Sequence, residues 1–226
     1  MIPLVLAASE APMQISVGGG SSAVKLFLLM TALSFAAGAL ISITSFTRII
    51  IVMSFLRQAL GTPSLPPNQV VVALSLALTA FVMAPTFQKV NTSALSPYLD
   101  DQISGQEAFD RGSAPVLQFL LRQTRPDDLR LFYELSGSER PTRAEDVPLH
   151  IAVPAFMVSE LTTAFRMGLF LFIPLLLIDL LVSAVLMALG MMMVPPTLVS
   201  LPLKVGIFLL ADGWHLLVQS LVRSFG

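Results

Sequence analysis

The sequence predicts an all-α, membrane-associated protein built from apolar helical hairpins with a small polar α-helical insertion. Three observations carry that expectation. Hydrophobic residues make up 55% of the chain and charged residues only 12%, about half the share usual in a soluble domain. Mean hydropathy is +0.82. Long stretches are free of charge, the first being the 22 residues Leu26–Thr47, enough to cross a bilayer as a helix. A soluble fold of 226 residues cannot hide that much apolar surface, so lipid or large protein interfaces must cover it.

Residues 1–24 read as an N-terminal lead-in. Met1–Ala8 is apolar and runs into small residues with no Lys or Arg before it, which fits a truncated signal peptide or a plain lead-in. Gly18-Gly19-Gly20-Ser21-Ser22 is expected to be a flexible linker. Residues 25–88 form the first apolar hairpin. Arg48 interrupts its first segment, Ile49–Leu56 continues it and Arg57 closes it. The breaker Gly61-Thr62-Pro63-Ser64-Leu65-Pro66-Pro67-Asn68 follows, and Val70–Phe87 returns, kinked or ended near Pro85. The connection carries Arg48 and Arg57 and no acid, which places it on the cytoplasmic side.

Residues 89–153 differ in kind. Lys89–Pro154 holds seven basic and ten acidic residues, with helical stretches at Val116–Gln123 and Leu129–Leu135 between Pro and Gly signals. This is a solvated α-helical insertion. Residues 154–226 form the second apolar hairpin. Met167–Val194 contains one charge, Asp179, and the helix-disfavouring Pro174; beyond Pro195-Pro196, Leu198–Val222 carries Lys204, Asp212 and Trp214.

Composition also excludes function classes. A net charge of −1 without a basic block argues against a nucleic-acid partner. The absence of Cys removes disulfides, thiolate catalysis and Cys-ligated metals. His150 and His215 lie far apart and read as ordinary polar side chains, and no phosphate-binding loop or metal-ligand spacing occurs. The expectation is a non-enzyme without a cofactor.

Three features break the rule for lipid-facing helices. Ser34, Gly38 and Ser42 recur every four residues, a ridge that allows close helix approach; Ala164–Gly168 and Ala184–Ala188 repeat the spacing, with packing and chance both open. Asp179 stands in an apolar run, where a carboxylate needs a partner or a wet cavity. Its expected role is structural, neutralised by a Lys or Arg or capping a broken helix; the rival is a proton relay in a small-solute transporter, which would need inverted repeats. Last, Met191, Met192 and Met193 stand between Gly190 and Val194-Pro195-Pro196. Three successive side chains on a helix point about 100° apart, so the run sits at a helix end or in a loop. There it acts as gap-filling bulk or as a pliable apolar constriction.

Several motifs in order then carry a family resemblance. Thr47-Arg48-Ile49-Ile50-Ile51-Val52, Phe55–Thr62, Pro66-Pro67-Asn68-Gln69-Val70, Pro154–Leu161, Ala164–Gly168, Ile173–Asp179, Gly190–Pro196, Leu201–Lys204 and Asp212-Gly213-Trp214 resemble the FliP family of the flagellar type III export gate. The resemblance runs from about Leu26 to Phe225 and is weakest in the insertion. It implies a pore-forming helical oligomer in which about five such subunits join FliQ and FliR. The complex lies in the bacterial inner membrane within the flagellar basal body, much of it on the periplasmic side, with FlhA and FlhB as further partners and unfolded export substrates as cargo. It implies that Met191, Met192 and Met193 form a pore gasket, and that Arg48, Arg57, Glu160, Asp179, Lys204 and Asp212 are buried polar or subunit-packing groups. The homologous injectisome subunit is the alternative; Gly61-Thr62-Pro63, Pro66–Val70 and Ser200–Lys204 look more like the flagellar form. The missing half of a signal peptide departs from the family pattern.

Overall fold

The computed structural model describes residues 19–62, 66–139, 141 and 143–226. They fall into two compact units, one ending at Ala39 and one running from Leu40 to Gly226. Among the described residues every regular element is helical. Three helices are long and apolar enough to cross a membrane, or four if one bent pair counts as a single span.

Helix α1, Gly19–Ser42, supplies the described part of the first unit up to Ala39, and its last three residues belong to the second. Apart from Lys25, Val24–Ser42 carries no charge, and it exposes Phe27, Leu33 and Phe35. Gly19–Ser22 are helical, whereas the sequence suggested a linker there; with no β-branched run or proline nearby, the following apolar turns extend the helix back through the glycines. Gly18 and the lead-in lie outside the described residues.

In the second unit the chain breaks before helix α2, Phe46–Ala59. The break comes from hydroxyl residues that offer the backbone local alternatives. The Phe46 amide donates to Thr44 Oγ1 at 3.5 Å and the Thr47 hydroxyl to the Ile41 carbonyl at 3.3 Å. The first apolar segment is therefore two helices, and the hairpin is made by α2 with α3, Asn68–Val90. Gly61, at φ +76°, turns the chain out of α2.

Helix α3 is apolar outside and small inside. Its buried stripe is Val71, Ser75, Thr79, Met83 and Thr86, while Leu76 and Phe81 are exposed. The buried hydroxyls stay satisfied by bonding back one turn, Ser75 to the Val71 carbonyl at 2.8 Å and Thr79 to the Ser75 carbonyl at 2.7 Å. Small hydroxyl residues at an interface let helices approach closely where lipid-like surroundings remove the usual hydrophobic drive. Pro85 lies inside the helix and does not end it. The chain runs on through a π-helical turn, Asn91–Leu95, into a single turn α4, Ser96–Leu99.

The polar insertion proper follows. Helix α5, Gly105–Gln123, starts at a capping box, with the Ser104 hydroxyl accepting from the Glu107 amide at 3.3 Å. Helix α6, Pro126–Ser136, opens with Pro and two acids and ends at Gly137 with φ +64°, an arrangement that suits the helix dipole and the left-handed cap. Both contain the stretches expected from sequence.

Helix α7, Leu149–Ala188, is 40 residues long, with Pro154 and Pro174 inside it. At 1.5 Å per residue it extends about 60 Å, roughly twice the hydrocarbon thickness of a bilayer. Its first half is core: Ile151, Ala152, Ala155, Phe156, Ser159, Glu160 and Ala164 are almost inaccessible, packed on α2, α5 and α6. Its second half exposes Phe170, Leu177 and Leu181. Helix α8, Pro196–Leu210, and helix α9, Gly213–Arg223, complete the chain with a bend of 65° between them. That bend divides what reads in the sequence as one final stretch; Asp212, at φ +51°, makes it.

Candidate functional site

The Met-rich segment is a loop held at both ends. Helix α7 stops because Gly190 takes φ +74°, a conformation that costs a residue with a Cβ more than glycine. The Gly190 amide then bonds the Met187 carbonyl at 3.0 Å and the Met191 amide bonds the Leu186 carbonyl at 2.9 Å, the paired bonds of a Schellman motif. On the other side Pro195 is extended and Pro196 begins α8, where a missing amide hydrogen is harmless. Between these stops Met191, Met192 and Met193 are 44%, 81% and 98% exposed. The loop presents three thioethers together.

Behind the loop, α7 and α8 are joined by a buried cation. Lys204 Nζ donates to Asp179 Oδ2 at 2.5 Å and to the carbonyl of Ala59, the last residue of α2, at 2.9 Å. One ammonium thus neutralises the carboxylate and caps a helix C-terminus, where the dipole favours positive charge. Asp179 has the cationic partner that the structural reading required. Lys204, at first sight near a segment end, lies inside α8 and is buried.

A second node ties the chain's distant parts. Arg48 on α2 donates from Nε to Glu160 Oε2 at 2.9 Å, and its Nη2 meets Glu160 Oε1 and Gln123 Oε1. Nη1 reaches the Ser224 carbonyl at 2.8 Å and its hydroxyl at 2.9 Å. The guanidinium lies 3.9 Å over the Phe225 ring, and Gln123 Nε2 donates to the Phe225 carbonyl at 3.0 Å. All three guanidinium nitrogens have acceptors, a condition that makes a buried ion pair tolerable. The planar fork of arginine suits such a junction better than a lysine would.

Two interactions escaped the sequence reading. Ser159 on α7 donates to Asp128 Oδ2 at 2.6 Å and accepts from the Arg125 amide at 3.0 Å, docking α6. Gln123, Ser224 and Phe225 join Arg48. Gly168 on α7, where the sequence left packing open, lies against Phe55 of α2: a Cβ there would stand 2.5 Å from the Phe55 ring. The Ala164–Gly168 spacing is thus a packing ridge. Ser34 and Gly38 are exposed on α1 and Ser42 half-buried. Ala184 and Ala188 are exposed.

Asp212 and Arg57, expected as buried polar or subunit-packing groups, are not enclosed within the single chain. Asp212 is exposed, because the left-handed turn at the α8–α9 bend carries it outward. Arg57 is half-buried and, among the described residues, enters none of the five salt bridges. Among the described residues no group of three or more His, Cys, Asp or Glu side chains could hold a metal. A concavity of about 950 Å³ runs between α7 and the bent α8–α9 pair and is lined mainly by apolar side chains such as Leu171, Leu175 and Phe208.

Residues 29–221 match the model of the FliP family. The chain belongs to that family. It is 51% identical over 205 residues to the flagellar biosynthetic protein FliP of Bacillus subtilis, covering 91% of this chain and 93% of the relative. It is 53% identical over 210 residues to the protein of that name from Pectobacterium carotovorum, covering 92% and 81%. The Aquifex aeolicus protein of the same name is 45% identical over 218 residues, covering 95% and 91%. In this FliP-family chain the matched segment takes in Arg48, Glu160, Asp179, the Met loop and Lys204; Ser224 and Phe225 lie just beyond it.

Proposed function

We propose that this chain is a pore-forming subunit of the flagellar type III protein export gate, through which unfolded axial proteins leave the cytoplasm across the inner membrane. Family membership and three relatives named as flagellar biosynthetic proteins support the flagellar machine over the injectisome. The observation that carries the conduit reading is the Met loop: three adjacent thioethers, displayed on a hairpin whose two arms are locked by Lys204 and Asp179. Unbranched, polarisable side chains can close around nothing or around a passing chain of any sequence.

In this reading copies of the chain assemble side by side, together with FliQ and FliR, and each contributes one loop to a ring around the channel. FlhA, FlhB and the basal body surround the complex. The long exposed apolar faces of α1 and α7 are then covered partly by neighbouring subunits and partly by lipid. The chain acts as a passive gated conduit and performs no chemistry of its own; an ATPase and the proton motive force act through other components. The arrangement of Asp179 gives no support to a proton relay, since its carboxylate is held by Lys204.

Co-purification with FliQ and FliR followed by native mass spectrometry tests the proposal. A complex holding several copies of this chain is expected; a chain that stays monomeric in the presence of both partners would contradict it. Restoration of swimming in a motile host lacking its own family member tests the choice of machine.

A further inference from the structure

We propose that Met191, Met192 and Met193 are a site of reversible oxidation to methionine sulfoxide, which opens the apolar ring they form. The inference rests on the gasket reading above. The chain has no Cys, so thioethers are its only sulfur, and their accessibility differs sharply. Met53 and Met83 are 3% and 1% exposed, whereas Met192 and Met193 are 81% and 98% exposed. Met157 and Met167 are half-buried. Met30 and Met187 are exposed, but they stand on α1 and α7, among the Leu and Phe side chains of helices long and apolar enough to lie in lipid or against neighbouring subunits. Among the described residues the loop methionines alone are displayed from a short non-helical segment, where a water-filled channel would bring dissolved oxidant to them.

The chemistry needs only a peroxide. The thioether sulfur attacks one peroxide oxygen; the S–O bond forms as the O–O bond breaks, and the departing hydroxide takes the transferred oxygen's proton and leaves as water. Sulfur is oxidised by two electrons and the peroxide reduced by two. The product is a polar sulfoxide in place of a flexible apolar side chain, and a reductase can restore it. Three such groups on every loop turn a dry constriction into a hydrated one. Gly190 and Pro195 fix the loop ends independently of the methionines, so the change reaches the ring without unfolding the hairpin.

The test uses the assembled complex in lipid bilayers, exposed to dilute hydrogen peroxide, with oxidised residues located by peptide mass mapping and ion conductance recorded in parallel. Oxygen uptake at residues 191–193 is expected roughly tenfold faster than at Met53 or Met83, with a matching rise in conductance that methionine sulfoxide reductase reverses. M191L/M192L/M193L, which keeps the apolar bulk but removes the loop sulfurs, should show no peroxide-dependent rise above its own starting conductance. Uniform oxidation of all methionines, or oxidation of the loop with unchanged conductance, would overturn the inference. The unoxidised M191A/M192A/M193A variant separates the two ideas. If it leaks while peroxide does nothing, the gasket stands and the oxidative opening falls; if neither leaks, both fall.

Discussion

Lys204 on α8 and Asp179 on α7 meet at 2.5 Å, and the same ammonium caps α2 through the Ala59 carbonyl. The pair closes the hairpin that carries the Met loop, with about two and a half turns of helix between the bridge and the loop on each arm. It therefore sets the register of one arm against the other, and removing it should affect assembly and loop placement together.

Lys204→Ala removes the cation and leaves Asp179 beside an uncapped helix end. Breaking a buried pair from one side costs about 3 to 5 kcal/mol. The cost here should fall at or below the lower end, because Asp179 remains 32% exposed. Asp179→Asn should cost less, since its amide oxygen still accepts from Lys204. Thermal unfolding of the purified complex should rank the wild type above Asp179→Asn and that above Lys204→Ala; the reverse order of the variants would show that the carboxylate, not the ammonium, organises the node.

Arg48→Ala should be the most damaging single change in the second unit. It strands the fully buried Glu160 and releases Gln123, Ser224 and Phe225 at once. The double variant Arg48→Met with Glu160→Gln removes both charges and should recover at least about 1 kcal/mol relative to Arg48→Ala. Membrane-inserted yield and melting temperature of the two variants check this.

Gly168→Leu would drive a side chain into the Phe55 ring, where α7 packs on α2. Even Gly168→Ala should destabilise by about 1 to 3 kcal/mol through overpacking. Phe55→Leu should restore part of the loss, and simple additivity of the two changes would refute the contact.

Gly190→Val places a β-branched residue at φ +74°, at a cost of at least about 1 kcal/mol. The residue should move α7's stop and the methionines with it. Conductance should rise in an assembled complex whose subunit composition is unchanged.

The loop was legible in the sequence because its determinants are local: glycine on one side of the methionines and two prolines on the other. Pro and Gly signals likewise located α6 and the C-terminal part of α5, though not the Ser104 cap at which α5 begins. The nodes were not legible in that way. Arg48 and Glu160 each stood in a motif, but they are joined only by the packing of α2 on α7 across more than a hundred residues. Lys204 likewise stood in a motif, but its partners Asp179 and the Ala59 carbonyl are brought to it only by the tertiary fold. The apolar run Leu26–Leu56 hid the stop between α1 and α2, whose cause is a set of hydroxyl groups rather than a proline or glycine. Helix α7 ran past Pro154 and Pro174 because packing on its neighbours outweighs the loss of two hydrogen bonds.

The central claim is that Met191, Met192 and Met193 seal the channel. It is tested most directly by ion conductance across a bilayer containing the assembled complex with all three methionines replaced by Ala. The account predicts intact assembly and a conductance well above that of the wild type; an assembled variant as tight as the wild type would contradict it.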